Sequence, residues 1–392
     1  MLEVWKAFGK LGLTAFGGPV AHIGFFRQEF VERRQWLTEQ QFSQLLAICQ
    51  FLPGPASSQM GFAIGLLRAG WIGAFTAFVA FTLPSALALF AFASLVIYLD
   101  NANGQAIIQG LKLVAVAVVA HAVFGMSKSL APDWPRRFIA LLALLVLLLF
   151  SHLWMQLIVI VMGALFGLVI CRQHTTPVSQ LSVNYSSSLA TFFALLFASL
   201  LLFSIVLPTE QSTPVNVFAS FYQAGALVFG GGHVVLPLLE QSTVGHGWVD
   251  TDTFLAGYGA AQAVPGPLFT FASYLGAEIE TGLPASLGAL IAIVGIFLPG
   301  FLLLLAVLPF WAKVASVPKA SAAIVGVNAA VVGLLAAALY DPIITSSLHH
   351  WTDLLIALAG FLILTVLKKS ALWTVCFCIF ASLTLSNLIF LN

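Results

Sequence analysis

Apolar stretches of about 20 residues recur along almost the whole chain, and a helix of that length crosses the hydrocarbon core of a bilayer. Lys, Arg, Asp and Glu make up only 7% of the 392 residues, whereas soluble domains carry roughly 25%. Runs such as 138–150 are uniformly apolar rather than alternating, which excludes an outer-membrane barrel. The sequence therefore predicts an all-α polytopic membrane protein with the lipid bilayer as its surroundings.

Charge and motifs exclude several classes of function. The net charge is +1 without a basic tract, so no nucleic-acid partner is expected. The sequence contains no H-E-x-x-H, no P-loop and no G-x-G-x-x-G ahead of a helix. We therefore predict a protein that is not an enzyme and has no cofactor or metal. The alternative is a membrane-embedded enzyme that acts on a lipid-linked substrate, with His22 and His233 as base or metal ligands.

A repeat divides the chain into two homologous halves. F-G-G occurs at 16–18 and 229–231, and Q-x-x-P-G-P occurs at 50–55 and 262–267, at offsets of 213 and 212. Further landmarks follow in the same order, namely Trp36 with Trp248, Leu83-Pro84 with Leu298-Pro299, Gly110 with Gly326, and Trp134 with Trp351. The predicted domains are a first transporter repeat at 1–171, a linker at 172–216 with one extra transmembrane helix at 189–207, and a second, inverted repeat at 217–392.

Basic residues near span ends mark the cytoplasmic side of a membrane protein. Loops that are basic in the first half are acidic in the second, and no Lys or Arg occurs from 173 to 312. This reversal of sign predicts an inverted-topology repeat with broken or re-entrant helices, the plan of many secondary transporters. Two segments at the front of the first half carry basic residues at both ends, which predicts that each is a re-entrant hairpin. With their counterparts in the second half this gives four re-entrant hairpins beside about nine full spans, and thirteen crossings are the alternative.

Backbone breaks at membrane depth locate the predicted binding site, because freed peptide groups are tolerated there only next to protein or a watery cavity. Proline suits the start of a new helix, and helix N-termini bind anions. Up to four such N-termini, two per half, could converge on one point. The predicted substrate-binding residues are Gly17, Gly18, Pro19, His22, Pro53, Gly54, Pro55, Ser57, Ser58 and Gln59 in the first half, and Gly230, Gly231, His233, Pro265, Gly266 and Pro267 in the second.

Lys112 and Asn328 complete the predicted site, and several members have a structural alternative. Lys112 lies inside a predicted span, where an ionisable side chain marks a functional position, and Asn328 is its counterpart in the second half. Lys112 could instead extend its charge to the outer interface. His22 and His233 could carry a proton or donate to an anion, or could be hydrogen-bonded structural residues. The glycines could equally permit close helix contacts.

The motifs F-G-G-P at 16–19 with His22-Ile23, Trp36-Leu37, L-P-G-P at 52–55 and L-P at 83–84 have degenerate second copies. Together they resemble the chromate ion transporter family, in its long two-domain form. The resemblance implies a secondary active transporter that exports chromate, a tetrahedral divalent oxyanion with sulfate as its analogue, across the bacterial inner membrane. A passive anion channel is the alternative, and a homodimer is an expected assembly. The second copy has Gly232 in place of Pro19 and no serine pair after Pro267.

Overall fold

The structure, a computed structural model, describes residues 1–16, 18–96, 98, 101–150, 155–171, 185–207, 211–311, 313 and 317–390. Every regular element in this part of the chain is helical, which confirms the predicted fold class. Gly17, a predicted site residue, lies outside the described residues, and so does the stretch 172–184 of the predicted linker.

The first half contains seven helices among its described residues. They are α1 (Leu2–Thr14), α2 (Gly18–Arg27) with a π-helical turn (Gln28–Arg33), α3 (Glu39–Phe51), α4 (Ala56–Val96), α5 (Ala102–Leu130), α6 (Trp134–Leu149) and α7 (Met155–Ile170). The helix α8 (Ser187–Val206) follows and packs on the second half.

The second half repeats the same order. Its elements are α9 (Pro214–Leu227), a 3-10 turn (Gly232–Val234), α10 (Val235–Thr243), α11 (Thr251–Ala261), a 3-10 turn (Leu268–Thr270), α12 (Phe271–Glu278), α13 (Ala285–Val307) with a 3-10 turn (Leu308–Phe310), α14 (Pro318–Ala338) with a π-helical turn (Leu339–Ile344) and one α-helical turn (Thr345–Ser347), α15 (Trp351–Thr365) and α16 (Ala371–Phe390). The long helix α4 changes direction at Ala69 and Gly70, whose backbone angles are not helical, so its two parts correspond to α12 and α13.

Polar caps set the start of one hairpin helix in each half. Thr38 accepts the backbone N–H of Gln41 at 3.2 Å, and the Gln41 side chain accepts the N–H of Thr38 at 3.0 Å. Asp250 accepts the backbone N–H of Thr253 at 2.9 Å and its hydroxyl at 2.6 Å. Such caps satisfy the free N–H groups of a first turn, so α3 and α11 begin at corresponding places.

The chain folds back on itself at each described break of the first half. The Phe8 and Phe30 rings stack at 4.8 Å, although a continuous helix would hold them about 33 Å apart. The guanidinium of Arg68, at the end of the first part of α4, lies 5.0 Å from the Trp36 ring ahead of α3. Both segments are therefore hairpins that return to the side on which they began. The number of membrane crossings stays a prediction.

In each half, a pair of glycines brings two consecutive helical segments into close contact at the corresponding place. Gly65 and Gly73 face each other so closely that a Cβ on either would meet the carbonyl oxygen of the other. Gly276 and Gly288 make the same contact between α12 and α13. Small residues allow such close backbone approach between membrane helices, so these sites set the hairpin geometry in both halves.

The two halves interlock rather than lie side by side. Helix α14 of the second half packs against α6 and α7 of the first, and α5 of the first packs against α15 and α16 of the second. Gly163 and Gly167 contact Gly326, and a Cβ on Gly110 would lie 2.7 Å from Ile379 Cα. Each half thus completes its helix packing with helices from the other half.

Several helices are long and apolar enough to cross a bilayer. Within the described ranges, five candidate spans satisfy both criteria, namely Ala56–Val96, Ala102–Leu130, Ser187–Val206, Ala285–Phe310 and Pro318–Ser347. Shorter apolar helices occur at Met155–Ile170, Trp351–Thr365 and Ala371–Asn387. These lengths agree with a multi-pass membrane protein.

Candidate anion-binding site

The breaks of the two halves meet in crossed pairs. The backbone N–H of Gly54, in the second break of the first half, donates to Val228 O at 2.8 Å in the first break of the second half. Conversely, Gly266 N–H donates to Ala15 O at 3.0 Å. The partners correspond in the sequence repeat, so the halves are related by approximate two-fold symmetry at this point. Peptide groups freed by the breaks thereby satisfy one another, as a hydrocarbon environment would require.

Glycine is required at both crossing points. Gly54 has φ +115°, and a Cβ there would lie 3.0 Å from Gly300 Cα on α13. Gly266 has φ +106°, and a Cβ would lie 2.8 Å from Ser85 Oγ on α4. Residues with a side chain rarely adopt such φ values, and neither site has room for one. Each P-G-P break is therefore seated against the helix that carries the L-P motif of the opposite half.

A cavity of about 150 Å³ lies at this crossing. It is bordered by break residues of both halves, by helix α5 and by the connection between α15 and α16. The polar and glycine residues that line it are Gly18, His121, His233, Gln262, Gly266, Lys369 and Ser370. Three of the predicted site residues, Gly18, His233 and Gly266, are thus brought together.

The electrostatics of the cavity favour an anion. Lys369 supplies the charged side chain of the lining, and the lining contains no carboxylate among the residues that the structure describes. Ser370 and Ala371, at the N-terminus of the 20-residue helix α16, also line the cavity. A helix N-terminus carries partial positive charge and free N–H donors. Because Lys369 is exposed, it stands at the mouth of the cavity.

Histidines of both halves lie at the crossing. His22 Nε2 donates to Ala15 O at 3.0 Å, so this carbonyl accepts two hydrogen bonds, one from His22 and one from the Gly266 N–H. His233 Nδ1 is hydrogen-bonded to the Tyr258 hydroxyl at 2.8 Å. His121 Nδ1 is buried and has no hydrogen-bond partner in the described part of the chain.

The polar residues that follow Pro55 support the break. Gln59 is fully buried, and its amide nitrogen donates to Pro53 O at 2.9 Å and to Gly300 O at 3.0 Å. Both amide hydrogens are therefore used, which leaves none for an anion. Ser57 and Ser58 are also buried in the first turn of α4, outside the lining of the cavity.

Lys112 lies away from the breaks. Its Nζ is 2.6 Å from the Asp252 carboxylate, in the first turn of α11, whereas the break follows the end of that helix at Ala261. Nine residues of helix separate the two points by about 14 Å. The Lys112 charge is therefore paired with a carboxylate, whereas the sequence predicts that it is available to an anion. Its counterpart Asn328 has a buried Oδ1 without a partner among the described residues.

Three prolines lie one position away from the first helical position, where the sequence predicts them. Pro55 immediately precedes α4 and Pro267 immediately precedes a 3-10 turn, so both occupy cap positions. Pro19 is the second residue of α2. Pro53 and Pro265 lie within the breaks, and Gly230 and Gly231 have φ +77° and +141° in the break that precedes the Gly232–Val234 turn.

Lys369, His121 and Gln262 were not among the predicted binding residues. From the sequence, Lys369 only marks the cytoplasmic side, although the second half has just four basic residues, Lys313, Lys319, Lys368 and Lys369. That scarcity was the available signal. The position of Lys369 at the cavity depends on how α15 and α16 pack on the opposite half, which no local pattern reveals.

Comparisons with known proteins identify the family. The model of the chromate transporter family matches residues 2–168 and 215–383. The chain is 31% identical over 343 residues to the chromate transport protein of Pseudomonas aeruginosa, covering 86% of this chain and 80% of that protein. It is 29% identical to a probable chromate transport protein of Synechococcus elongatus, covering 91% and 88%, and 28% identical to the chromate transport protein of Cupriavidus metallidurans, covering 84% and 80%. No solved structure matches. The match across both halves establishes that this chain belongs to the chromate transporter family.

Proposed function

We propose that this protein is a secondary active transporter that exports chromate, with sulfate as a chemical analogue, across the bacterial inner membrane. The observation that carries the proposal is the cavity at the crossing of the breaks, where Lys369 and the N-terminus of α16 provide positive charge. The names of the relatives direct the choice of anion to chromate.

The proposed site contains fewer of the predicted residues and includes new ones. Gly18, Gly266 and His233 remain, and His121, Gln262, Lys369 and Ser370 join them. Gln59 and Lys112 are left out because their donor groups are occupied by Gly300 and Asp252. Ser57 and Ser58 are left out because they do not line the cavity.

Charge supports the proposed direction of transport. When a dianion leaves a cell with a negative interior, its free energy falls by about 4.6 kcal/mol per 100 mV, because each elementary charge contributes about 2.3 kcal/mol. Lys369 and its neighbour Lys368 mark the predicted cytoplasmic side, so the mouth of the cavity faces the compartment from which an exporter loads. Movement of the interlocked halves about the approximate two-fold axis would then expose the cavity to the other side.

The test is uptake of labelled chromate into everted membrane vesicles. We expect saturable accumulation that sulfate inhibits and an uncoupler abolishes, and a reduction in the Lys369→Met variant that the matched Lys368→Met variant does not show. Accumulation that neither saturates nor responds to the uncoupler would favour the passive channel. No accumulation above empty-vector vesicles would remove chromate as the substrate.

The expected homodimer is a separate proposal. Mass measurement of the protein in lipid nanodiscs would check it, and a single 41.8 kDa chain per disc would contradict it.

A further inference from the structure

The cavity brings together two histidines that the chain separates by 112 positions. His121 belongs to helix α5 of the first half, and His233 belongs to the 3-10 turn that follows the first break of the second half. Both line the cavity of about 150 Å³. A role for this pair rests on the proposed function, because it concerns what binds together with the anion.

The fixed charges of the cavity do not balance a dianion. Lys369 contributes one positive charge, and the N-terminus of α16 contributes roughly half a charge. Lys369 is exposed, so water weakens its contribution. An anion with charge −2 in this cavity therefore keeps part of its charge uncompensated, and burying such charge is costly.

The two histidines can supply the missing positive charge, because each ring has a nitrogen that can still take up or share a proton. His233 uses Nδ1 in its bond to Tyr258 Oη, which leaves Nε2 as its second hydrogen-bonding atom. His121 Nδ1 has no partner in the part of the chain that the structure describes. A protonated imidazole donates from both nitrogens, whereas a tetrahedral oxyanion only accepts. An anion in the cavity therefore favours the protonated form of either ring.

Other ionisable groups on the surrounding elements do not replace the pair. Tyr258 on α11 bonds His233, Lys112 on α5 is paired with Asp252 on α11, and Lys128 at the end of α5 lies over the Phe124 ring at 3.8 Å. The packed elements carry further ionisable groups, none of which lines the cavity. They are Lys319 on α14, Tyr340 and Asp341 in the π-helical turn, Asp353 on α15, Cys376 and Cys378 on α16, and Glu240 on α10. Among the lining side chains that the structure describes, the two imidazoles are the groups that can gain a positive charge when an anion binds.

We propose that the His121–His233 pair takes up about one proton from solvent when the oxyanion binds, so that the anion and the proton occupy the cavity together. The proton is added to a lone pair of an imidazole nitrogen and is released when the anion leaves. Binding of the two ions is reciprocal, so the anion raises the proton affinity of the pair as much as the proton raises that of the site for the anion.

The test is calorimetric titration of the purified protein in lipid nanodiscs with sulfate, which stays a dianion throughout the pH range used. Titrations at pH 7.5 in buffers with different enthalpies of ionisation give the number of protons taken up per anion. We expect a value between about 0.5 and 1, and an apparent Kd that rises by up to about tenfold per pH unit above neutrality. A value of zero in the wild-type protein overturns the inference without the use of any variant.

Variants assign the proton to the pair. In the double variant His121→Gln and His233→Gln we expect weaker sulfate binding and a proton uptake near zero, whereas His349→Gln, an exposed histidine outside the cavity lining, keeps the wild-type value. Proton uptake that persists unchanged in the double variant overturns the assignment. If neither sulfate nor chromate binds to the wild-type protein at all, the proposed function fails, which is a distinct outcome from anion binding without proton uptake.

Discussion

At the scale of the residue, the environment decides what a buried polar side chain does. Gln59 and Lys112 are both polar groups in apolar segments, and from sequence each suits an anion. The Gln59 amide instead bonds two carbonyl groups that the breaks leave free, and the Lys112 charge is paired with Asp252. Leaving a carbonyl or a charge unpaired inside the protein costs more free energy than losing a contact to an anion. Both side chains therefore bond partners inside the protein.

The first residue-scale prediction concerns Gln59. Replacement by Met keeps the volume but leaves Pro53 O and Gly300 O without donors, which we expect to lower the free energy of unfolding by about 2 kcal/mol. Thermal unfolding in detergent measures the effect. Gln50→Met is the control, because Gln50 is exposed. Equal melting temperatures for the two variants would refute the supporting role.

The second residue-scale prediction concerns Glu240, which lies outside the candidate spans. Its side chain lines a separate cavity of about 410 Å³ together with Asp341. Burial, and secondarily the negative charge of Asp341, raise the pKa of Glu240 from 4.5 to about 7. A raised pKa means that the folded protein binds more protons than the unfolded chain, so stability is lost as the pH rises through about 7.

We therefore expect Glu240→Gln to be more stable than the wild-type protein at pH 8, by about 1 to 2 kcal/mol, with a smaller difference at pH 5. Melting temperatures of both proteins across this range measure the difference. The exposed Glu280→Gln variant is the control. Parallel curves for Glu240→Gln and the wild-type protein would show that Glu240 does not carry this pH dependence.

At the scale of the element, short helices are joined by breaks whose geometry only glycine allows. The pairs Gly65–Gly73 and Gly276–Gly288 join helices within a half, whereas Gly54 and Gly266 join breaks to the opposite half. The carbonyl and N–H groups of one break are satisfied by another, as hairpins at membrane depth would require.

The element-scale prediction tests the crossing. Gly54→Ala places a Cβ 3.0 Å from Gly300 Cα at φ +115°, which we expect to cost about 1 to 3 kcal/mol and to reduce chromate transport together with the melting temperature. Gly24→Ala is the matched control, since a Cβ there meets nothing within 4 Å and α2 is helical. A Gly54→Ala variant with wild-type stability and transport would contradict the tight crossing.

At the scale of the whole molecule, the interlocking of the halves links the site to both repeats. Helices α15 and α16 bring Lys369 to breaks that include Gly18 of the first half, and α5 brings His121 to His233. The cavity therefore exists only when both halves are present. Its residues differ between the halves, so a symmetric backbone carries an asymmetric site.

The whole-molecule prediction concerns a chain cut between Cys171 and Tyr185. We expect the two fragments to copurify when coexpressed, and a tagged first fragment expressed alone to aggregate, because α5, α6 and α7 lose their packing partners. Affinity capture followed by size-exclusion chromatography measures both results. Gly326→Leu in the second fragment should reduce capture, whereas Gly125→Leu in the first, which meets no neighbour, should not. A monodisperse first fragment on its own would contradict the interlocking.

The sequence by itself determined the class of the protein, the two halves, the positions of the breaks and the family. Hydrophobic length, repeated motifs and glycine-proline breaks are local properties, and each can be read from a short window of residues. The same reasoning predicted that Gly18, His233 and Gly266 lie close together, because breaks at membrane depth must gather where their backbone groups can be satisfied, and the three residues line one cavity.

Only the tertiary structure decided which polar side chains face the cavity. It gave Gln59 and Lys112 partners 241 and 140 positions away, and it placed Lys369 in the same cavity lining as Gly18, from the far end of the chain. These outcomes depend on how helices of one half pack into the other. That packing is set by shape and by hydrogen bonds across long sequence separations, which a pattern along one chain does not contain.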